Sequence, residues 1–450
     1  NQLGAFLRWV IDEYGGFNVP VTVSFIGHGI PLAPPVTELA CVYEPDGCKT
    51  RVGLPGTPWV TIALPSKQDV NPGWTDEESE TYITPYTLAA ALDMGTYGGL
   101  RRIQVLDVVH CFAATVEEFY EVAYSPTTGL SMVDVMLGSP SYTYFGPGLV
   151  ISSLLAPDLT PEPPAEFDAT VVGAAMLAGY ETALAEADDF DGDPDTDHPR
   201  LFVMVDNRED QLRLVKRATD ELAAALYARL DAAATHATTR LGIRAAHMAA
   251  AHYDTTYCRP QDWQLDAGDG LTDFYELTRH LQIIFADDNA VLNATEGLEA
   301  ALRSAVVGEA TVRVGGQPWF TGTTPAPTWT FDTPGDEIDG LGLAIYADLV
   351  GTPNAEDKRD YVGMAGYWYT SEAFNSGEEY APFHNPRPLR FIRPAGGSLL
   401  TWADVLRVYW QGPADAPNPP PFDRVPAWAC GVELPLVRPQ DGWLPVLMGE

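Results

Sequence analysis

Two residue types that together can carry out nucleophilic catalysis each follow a short apolar run. Cys111 follows Ile103–Val109, and His28 follows Val21–Ile26. Both runs have the length and the β-branched content of buried strands. If the strands are parallel neighbours, the thiol and the imidazole meet at one sheet edge as a nucleophile and its base. The alternative is a buried structural cysteine and a hydrogen-bonded loop histidine.

A helix is predicted directly after the cysteine, because the hydrophobic period changes there from that of a strand to that of a helix. Val116, Phe119, Tyr120 and Ala123 recur at helical spacing, with glutamates between them. Cys111 would therefore lie where a strand ends and a helix begins, the edge at which open α/β folds bind ligands. The positive end of the helix also favours the thiolate over the thiol.

Strands and helices alternate along the first 160 residues, which favours a parallel sheet covered by helices on both faces. Further strands are predicted at Trp59–Leu64, Met132–Leu137 and Leu201–Val205. Helices are predicted at Leu3–Tyr14, Ile83–Asp93, Asp168–Ala187, Glu209–Leu230, Thr235–Tyr253 and Leu271–Phe285. From Ala310 onward the pattern predicts short strands, turns and many prolines.

The order of these motifs resembles the clostripain family of caspase-like cysteine peptidases, in which one hydrophobic strand ends in His-Gly and another in the catalytic Cys. The likeness covers most of residues 1–350, and its landmarks are Leu3–Tyr14, His28-Gly29, Ile83–Leu92, Cys111–Glu117, Val135–Gly148, Val203–Asp206, Leu271–Tyr275 and Gly340–Tyr346. The resemblance implies a caspase-like α/β/α sandwich with a mostly parallel sheet. It also implies that Cys111 is the nucleophile, that His28 is the general base, and that the N–H groups of Gly29 and Cys111 stabilise the oxyanion.

The length of 450 residues exceeds a typical single core, so we expect a large α/β unit with an appended region. We predict a catalytic core with the His and Cys strands at 1–155, a helix-rich continuation at 156–350, and a Pro/Gly-rich C-terminal region at 351–450. The chain begins at Asn1, past the family's first sheet strand, as expected for a processed or trimmed chain. The resemblance also implies a maturation cut at Lys49 or Arg51, between the two strands.

The sequence departs from the family at a position that binds the substrate side chain. The family usually has Asp two residues before the catalytic Cys, where it binds a basic side chain, and this chain has Val109. Residues 107, 109 and 111 share one side of a strand, and Asp107 lies roughly 13 Å before Cys111 at about 3.3 Å per residue. We therefore predict that Asp107 supports cleavage after Arg or Lys, with a small or apolar residue as the competing prediction.

A run of alternating aspartates is the second candidate for chemistry. It comprises Asp189, Asp191, Asp193, Asp195 and Asp197, with Gly192 allowing a tight turn. Oxygen ligands at alternate loop positions suit Ca²⁺, although the twelve-residue calcium pattern and its final Glu are incomplete. The resemblance adds weight, because calcium dependence is known among clostripain-like enzymes. The alternative is a solvated acidic loop in an acidic protein.

The composition excludes several classes of partner. The chain has 62 acidic and 26 basic residues, and its formal net charge of −36 repels nucleic acid and anionic membranes. No apolar run approaches the roughly 18 residues of a membrane span. Among five cysteines, Cys41 and Cys48 could close a small disulfide loop, but the chain is no disulfide scaffold. The compartment and the oligomeric state stay open, with a secreted or extracytoplasmic location favoured.

We interpret the chain as a cysteine endopeptidase that hydrolyses peptide or protein substrates through a Cys111–His28 dyad. The chemistry itself requires no cofactor, and Ca²⁺ is an optional ligand. Two alternatives stay open. The first is a catalytically silent caspase-like relative that binds peptides or protein partners through the same cleft, and the second is a calcium-stabilised extracellular binding module.

Overall fold

The computed structural model describes residues 2–13, 21–26, 38–41, 50–53, 85–110, 113–140, 168–186, 200–253, 271–312, 342–347, 390–392 and 400–412. Their strands are β1 Thr22–Ile26, β2 Glu38–Cys41, β3 Thr50–Gly53, β4 Ile103–Val109, β5 Val133–Gly138, β6 Arg200–Asp206, β7 His252–Tyr253, β8 Leu271–Asp273, β9 Val306–Val312 and β10 Ala344–Tyr346. Their helices are α1 Gln2–Glu13, α2 Pro85–Gly95, α3 Val116–Ala123, α4 Ala169–Glu186, α5 Gln211–Asp231, α6 His236–Ala249, α7 Phe274–Ile284, α8 Asn289–Ala305 and α9 Trp402–Gln411.

The main sheet of the described residues has five strands in the order β1-β4-β5-β6-β9. Strands β1, β4 and β5 are parallel neighbours, whereas β6 is antiparallel to both β5 and β9. All strands of this sheet except β6 therefore run in one direction. The predicted α/β fold with a mostly parallel sheet is confirmed.

Helices cover both faces of the main sheet. The buried side chains of β4 point alternately to the two faces, and on each face they pack against helices. Leu106 and Val108 belong to a large apolar cluster with residues of α2, α3 and α5. Val105 and Val109 belong to a second cluster, which includes residues of α4. Each buried side chain of this size contributes about 1.5–3 kcal/mol to folding. Burial on both faces explains why β4 is an almost continuous apolar run.

Most of the elements predicted up to Leu230 occur within about two residues of their predicted bounds. The prediction for β4 is correct at both ends. The strand predicted at Trp59–Leu64 lies outside the described residues. The agreement is good here because hydrophobic periods are strong and turn residues separate the elements.

Two helices predicted farther along the chain are shorter than their sequence patterns indicated. The helix predicted at Thr235–Tyr253 is α6, which ends earlier and is followed by β7. The helix predicted at Leu271–Phe285 is α7, which begins only after β8. Asp273 marks this start, because its carboxylate accepts the backbone N–H of Glu276 at 2.9 Å and caps the helix. Strands β7, β8 and β10 form a small antiparallel sheet, and this pairing overrides the helical pattern.

The region beyond Ala310 contains a helix where the sequence predicted only turns and short strands. Trp402 and Tyr409 of α9 are buried in the large apolar cluster. Helix α9 packs against α5, and Thr401 and Asp404 form a capping box at its start. The prediction was wrong here because the many prolines around this segment hid a short amphipathic pattern.

A second contact joins the C-terminal region to the sheet unit through the 3-10 helix Arg390–Ile392. Arg390 donates from its backbone N to Glu121 Oε2 at 2.7 Å and from Nε to Glu121 Oε1 at 3.1 Å. The ring of Phe391 meets that of Tyr120 edge-on, with the centroids 5.7 Å apart. These residues pack on α3, whereas the division of the chain into three regions stays a prediction.

Some expectations fall on residues outside the described part of the chain. These include Cys48 of the proposed disulfide loop and Lys49 of the proposed maturation cut. Arg51, the other candidate for the cut, lies in β3 and pairs with Ala40 of β2. Among the described helices, none is long and apolar enough to cross a membrane.

Candidate active site

The ends of neighbouring parallel strands define the sheet edge at which the candidate site lies. Ile26, the last residue of β1, pairs with Val109, the last residue of β4. In the sequence, His28 and Cys111 each follow their strand by two residues, and both lie outside the described residues together with Gly29. The parallel neighbours required by the sequence argument are present, and the dyad and its oxyanion groups stay predictions.

The backbone that follows Cys111 is bound between the main sheet and the small sheet. The N–H of Ala114 donates to the carbonyl of Ser139, just beyond β5, at 2.9 Å. The carbonyl of Ala114 accepts the N–H of Ala344 in β10, also at 2.9 Å. Thr115 and Ala344 form a further parallel bridge. These contacts hold the chain firmly on the C-terminal side of Cys111.

Gly138 allows this turn to pass close to the end of β5. A Cβ atom at residue 138 would lie 3.0 Å from Cζ of Phe119 and 3.2 Å from Cβ of Ala113. Both neighbours are fully buried, so neither has room to move away. A side chain at this position would therefore displace either the turn after Cys111 or the first part of α3.

Helix α3 begins immediately behind the turn, with Thr115 as its N-cap. The Thr115 hydroxyl accepts the backbone N–H of Glu118 at 3.2 Å. The first helical turn also carries the carboxylates of Glu117 and Glu118, both buried. Acidic side chains complement the positive end of a helix dipole. They therefore offset part of the positive helix potential that would favour a thiolate at Cys111.

A buried contact between a histidine and a glutamate joins the end of β4 to α3 and was not predicted from the sequence. His110 Nε2 lies 3.0 Å from Glu118 Oε1, and the two side chains are only 10% and 6% exposed. The His110 ring also meets Phe25 of β1 edge-on, at 6.5 Å between centroids and 87° between planes. The only sequence signal was a histidine beside the candidate nucleophile and a glutamate in the following helical turn. The hydrophobic periodicity of the sequence does not predict that these two polar side chains contact each other.

The predicted substrate-binding residues Asp107 and Val109 both face α4. The Asp107 carboxylate is 1% exposed, and it accepts hydrogen bonds from the Tyr180 hydroxyl at 2.8 Å and the Ser24 hydroxyl at 2.9 Å. Burial raises the pKa of Asp107 to about 6, and the two hydrogen bonds oppose this effect. Burial and the nearby Asp107 charge raise the pKa of Tyr180, which keeps the phenol a donor. Val109 is 3% exposed within the apolar cluster on this face.

The candidate metal ligands are not tested by the described geometry. The aspartates of the run, Asp189, Asp191, Asp193, Asp195 and Asp197, all lie outside the described residues. Among the residues that are described, no group of three or more His, Cys, Asp or Glu side chains could hold a metal ion. Calcium binding by the aspartate run therefore stays a prediction.

Solved structures similar to this chain include several cysteine proteases. A secreted C11 cysteine protease from Bacteroides thetaiotaomicron, in complex with an irreversible peptide inhibitor, is 14% identical, with a TM-score of 0.35, over 69% of this chain and 62% of that chain. An inactive zymogen C11 protease from Parabacteroides distasonis is 13% identical, with a TM-score of 0.38, over 85% of this chain and 75% of that chain. A B. fragilis cysteine protease is 13% identical, with a TM-score of 0.34, over 65% of this chain and 93% of that chain.

The comparisons of sequence find no relative. No family model matches the chain, and no curated protein matches it. The chain spans 62% of the length of the secreted C11 cysteine protease from Bacteroides thetaiotaomicron, which is less than two thirds.

Proposed function

We propose that the protein is a cysteine endopeptidase with Cys111 as nucleophile and His28 as general base. The observation that carries the proposal is the register of β1 and β4, in which Ile26 lies beside Val109. Two parallel strands that end side by side deliver the residues that follow them to one edge of the sheet. The imidazole of His28 and the thiol of Cys111 each follow their strand by two residues in the sequence. A thiol and an imidazole at one sheet edge form the pair that nucleophilic catalysis requires.

The proposed reaction is acyl transfer through a thioester. The Cys111 sulfur attacks the carbonyl carbon of the scissile peptide bond while His28 accepts the thiol proton. The backbone N–H groups of Gly29 and Cys111 hydrogen-bond the oxygen that becomes negative. His28 then protonates the leaving amine as the C–N bond breaks. Water activated by His28 hydrolyses the thioester, which releases the acid and restores the thiol.

The packing behind the proposed nucleophile supports this chemistry, because catalytic groups must be held in place before the reaction. Ala114 is bound on one side to Ser139 and on the other to Ala344. Its side chain is fully buried. A turn held in this way has little freedom to rearrange, so less of the transition-state stabilisation is lost to reorganisation.

For the residue before the cut, the surroundings of Asp107 favour the competing prediction of a small or apolar side chain. Both oxygens of this carboxylate already accept hydrogen bonds, and Val109 supplies no charge. Binding a substrate Arg or Lys through Asp107 would require these bonds to break inside the core. A preference for basic residues would then need a carboxylate from another part of the chain.

The activity is tested with the variants Cys111→Ala and His28→Ala and a mixture of fluorogenic peptides. We expect each variant to lose cleavage while its thermal unfolding stays close to wild type, and the matched variant Cys258→Ala to keep full activity. Cys111→Ala with wild-type turnover would refute the mechanism. Wild-type protein that binds peptides without cleaving them would instead indicate the catalytically silent relative.

Calcium binding by the aspartate run 189–197 belongs to the same proposal as a stabilising function and not as a step of the reaction. Alternate aspartates around Gly192 supply the oxygen ligands that Ca²⁺ requires. A net charge of −36 also makes cation binding favourable at long range. The competing interpretation is a solvated acidic loop.

A further inference from the structure

The contacts of His110 and of Ala114 hold the chain on both sides of Cys111. After Cys111, the backbone of Ala114 is bound to Ser139 and to Ala344. Before Cys111, the side chain of His110 is bound to Glu118 of α3 at 3.0 Å. In the sequence, the nucleophile of the proposed reaction therefore lies between two residues whose positions are fixed, and one of them is fixed by a side-chain hydrogen bond.

We propose that His110 is a positioning residue for Cys111, and this inference rests on the proposed peptidase function. Its bond to Glu118 joins the residue that follows β4 to helix α3 and fixes the backbone directly before the nucleophile. The pair is almost fully buried, so water does not compete for the hydrogen bond. Misplacement of a catalytic group by about 1 Å can lower a rate by about 100-fold. The pair thus affects the chemical step without contacting the substrate.

The His110 ring contacts each element that leads to the proposed dyad. His110 directly follows β4, its Nε2 atom contacts Glu118 of α3, and its ring lies perpendicular to that of Phe25 in β1. When Glu118 is a carboxylate it only accepts hydrogen bonds, and the Nε2 atom that faces it is then the donor. One orientation of the ring therefore links the strand that precedes His28 with the strand that precedes Cys111.

The test is a steady-state measurement of kcat and KM, each determined for one cleaved peptide, in wild type and in the variants His110→Ala and His110→Gln. We expect His110→Ala to lower kcat by about 100-fold with little change in KM, because only the placement of the nucleophile changes. The amide of His110→Gln can replace the Nε2 donor, and we expect it to restore most of kcat. Glu118→Ala removes the partner from the other element and should lower kcat equally. The double variant His110→Ala/Glu118→Ala should fall no further than either single change.

His280→Ala serves as the matched control, because His280 Nε2 lies 3.5 Å from Glu276 Oε2 in the same helix, α7, and these two side chains are similarly buried. It should lower the unfolding temperature and leave kcat unchanged. Unchanged kcat in His110→Ala, or an equal loss in His280→Ala, would overturn the positioning role while the peptidase function stands. Additive losses in the double variant would also overturn it. If wild type cleaves no peptide that Cys111→Ala leaves intact, cleavage does not depend on Cys111. The proposed function is then wrong, and this inference is wrong with it.

Discussion

The hydroxyl of Tyr180 lies 2.8 Å from each carboxylate oxygen of Asp107 and so joins helix α4 to the strand that leads to Cys111. Ser24 of β1 donates to the same carboxylate at 2.9 Å. One buried acid therefore connects the two strands of the proposed dyad and the helix that covers them. The ring of Tyr180 is held in turn by stacking on Phe202, at 4.0 Å between centroids.

Removing the hydroxyl in Tyr180→Phe should destabilise the fold. The buried carboxylate of Asp107 would lose one of its donors, and a hydrogen bond to a charged group contributes about 1.5–3 kcal/mol. Chemical denaturation at neutral pH measures this loss. Tyr124→Phe is the control, because the Tyr124 hydroxyl bonds the neutral amide oxygen of Asn207 at 2.9 Å and should cost only about 0.5–1.5 kcal/mol. Equal losses in the two variants would contradict the role assigned to the Asp107 charge.

The raised pKa of Asp107 predicts a specific dependence of stability on pH. Burial raises this pKa from 3.8 to about 6, so between these values the folded protein binds more protons at Asp107 than the unfolded chain does. The stabilisation from this carboxyl is complete below pH 4 and is lost as the pH rises through 6. Asp107→Asn removes the titration. Its free energy of unfolding relative to wild type should rise by on the order of 3 kcal/mol between about pH 4 and pH 7.

The measured quantity is the difference in the free energy of unfolding between Asp107→Asn and wild type, so groups that titrate equally in both proteins do not contribute to it. The pKa of Asp273 is also raised, to about 7, but Asp273 is present in both proteins and its effect cancels in the difference. A stability difference between Asp107→Asn and wild type that stays constant from pH 4 to pH 7 would show that Asp107 titrates normally.

The residue preferred before the cut is decided with matched peptides that differ only at that position. We expect faster cleavage after Ala or Leu than after Arg, because Asp107 is engaged in the core and Val109 is uncharged. Asp107→Asn should leave the ratio of the two kcat/KM values unchanged. A selective loss of cleavage after Arg in this variant would place the Asp107 carboxylate in the substrate pocket.

The sequence predicts the strands that matter for the site because their signals are local. The run Ile103–Val109 is apolar, β-branched and bounded by polar residues, and β4 occupies those seven positions. The following helix is also predicted, since its apolar residues repeat at helical spacing. The alternation of strands and helices predicts a parallel sheet, and the structure adds the register, in which Ile26 pairs with Val109.

The contacts made by polar side chains could not be predicted in the same way. Asp107 was expected to face a substrate cleft, and its bond to Tyr180 depends on how α4 packs on the sheet. The His110–Glu118 pair depends on the path of the turn between β4 and α3. Helix α8 was not predicted either, although Asp288 before it accepts the backbone N–H of Val291 and caps its first turn. These features arise from tertiary packing, which a hydrophobic period does not encode.

Calcium should raise the unfolding temperature of the protein if the aspartate run binds it. A ligand at 100 times its dissociation constant adds about 2.7 kcal/mol to the stability of the state that binds it. Mg²⁺ at equal concentration is the control, because any cation screens a net charge of −36 and Mg²⁺ demands near-ideal octahedral geometry and gives up its waters reluctantly. Asp193→Asn/Asp195→Asn should abolish the difference between the two ions. Equal stabilisation by Ca²⁺ and Mg²⁺ in wild type would favour the solvated acidic loop.

The central claim is tested most directly by locating the adduct of a peptidyl chloromethyl ketone on the native protein by mass spectrometry. We expect a single adduct on Cys111, blocked by excess peptide substrate and formed much more slowly in His28→Ala, because the imidazole activates the thiol. A small neutral alkylating agent on the unfolded chain, which should reach Cys258 and Cys430 as well, is the control for selectivity. An adduct spread over these cysteines in the native protein, or its absence from Cys111, would contradict the proposed active site.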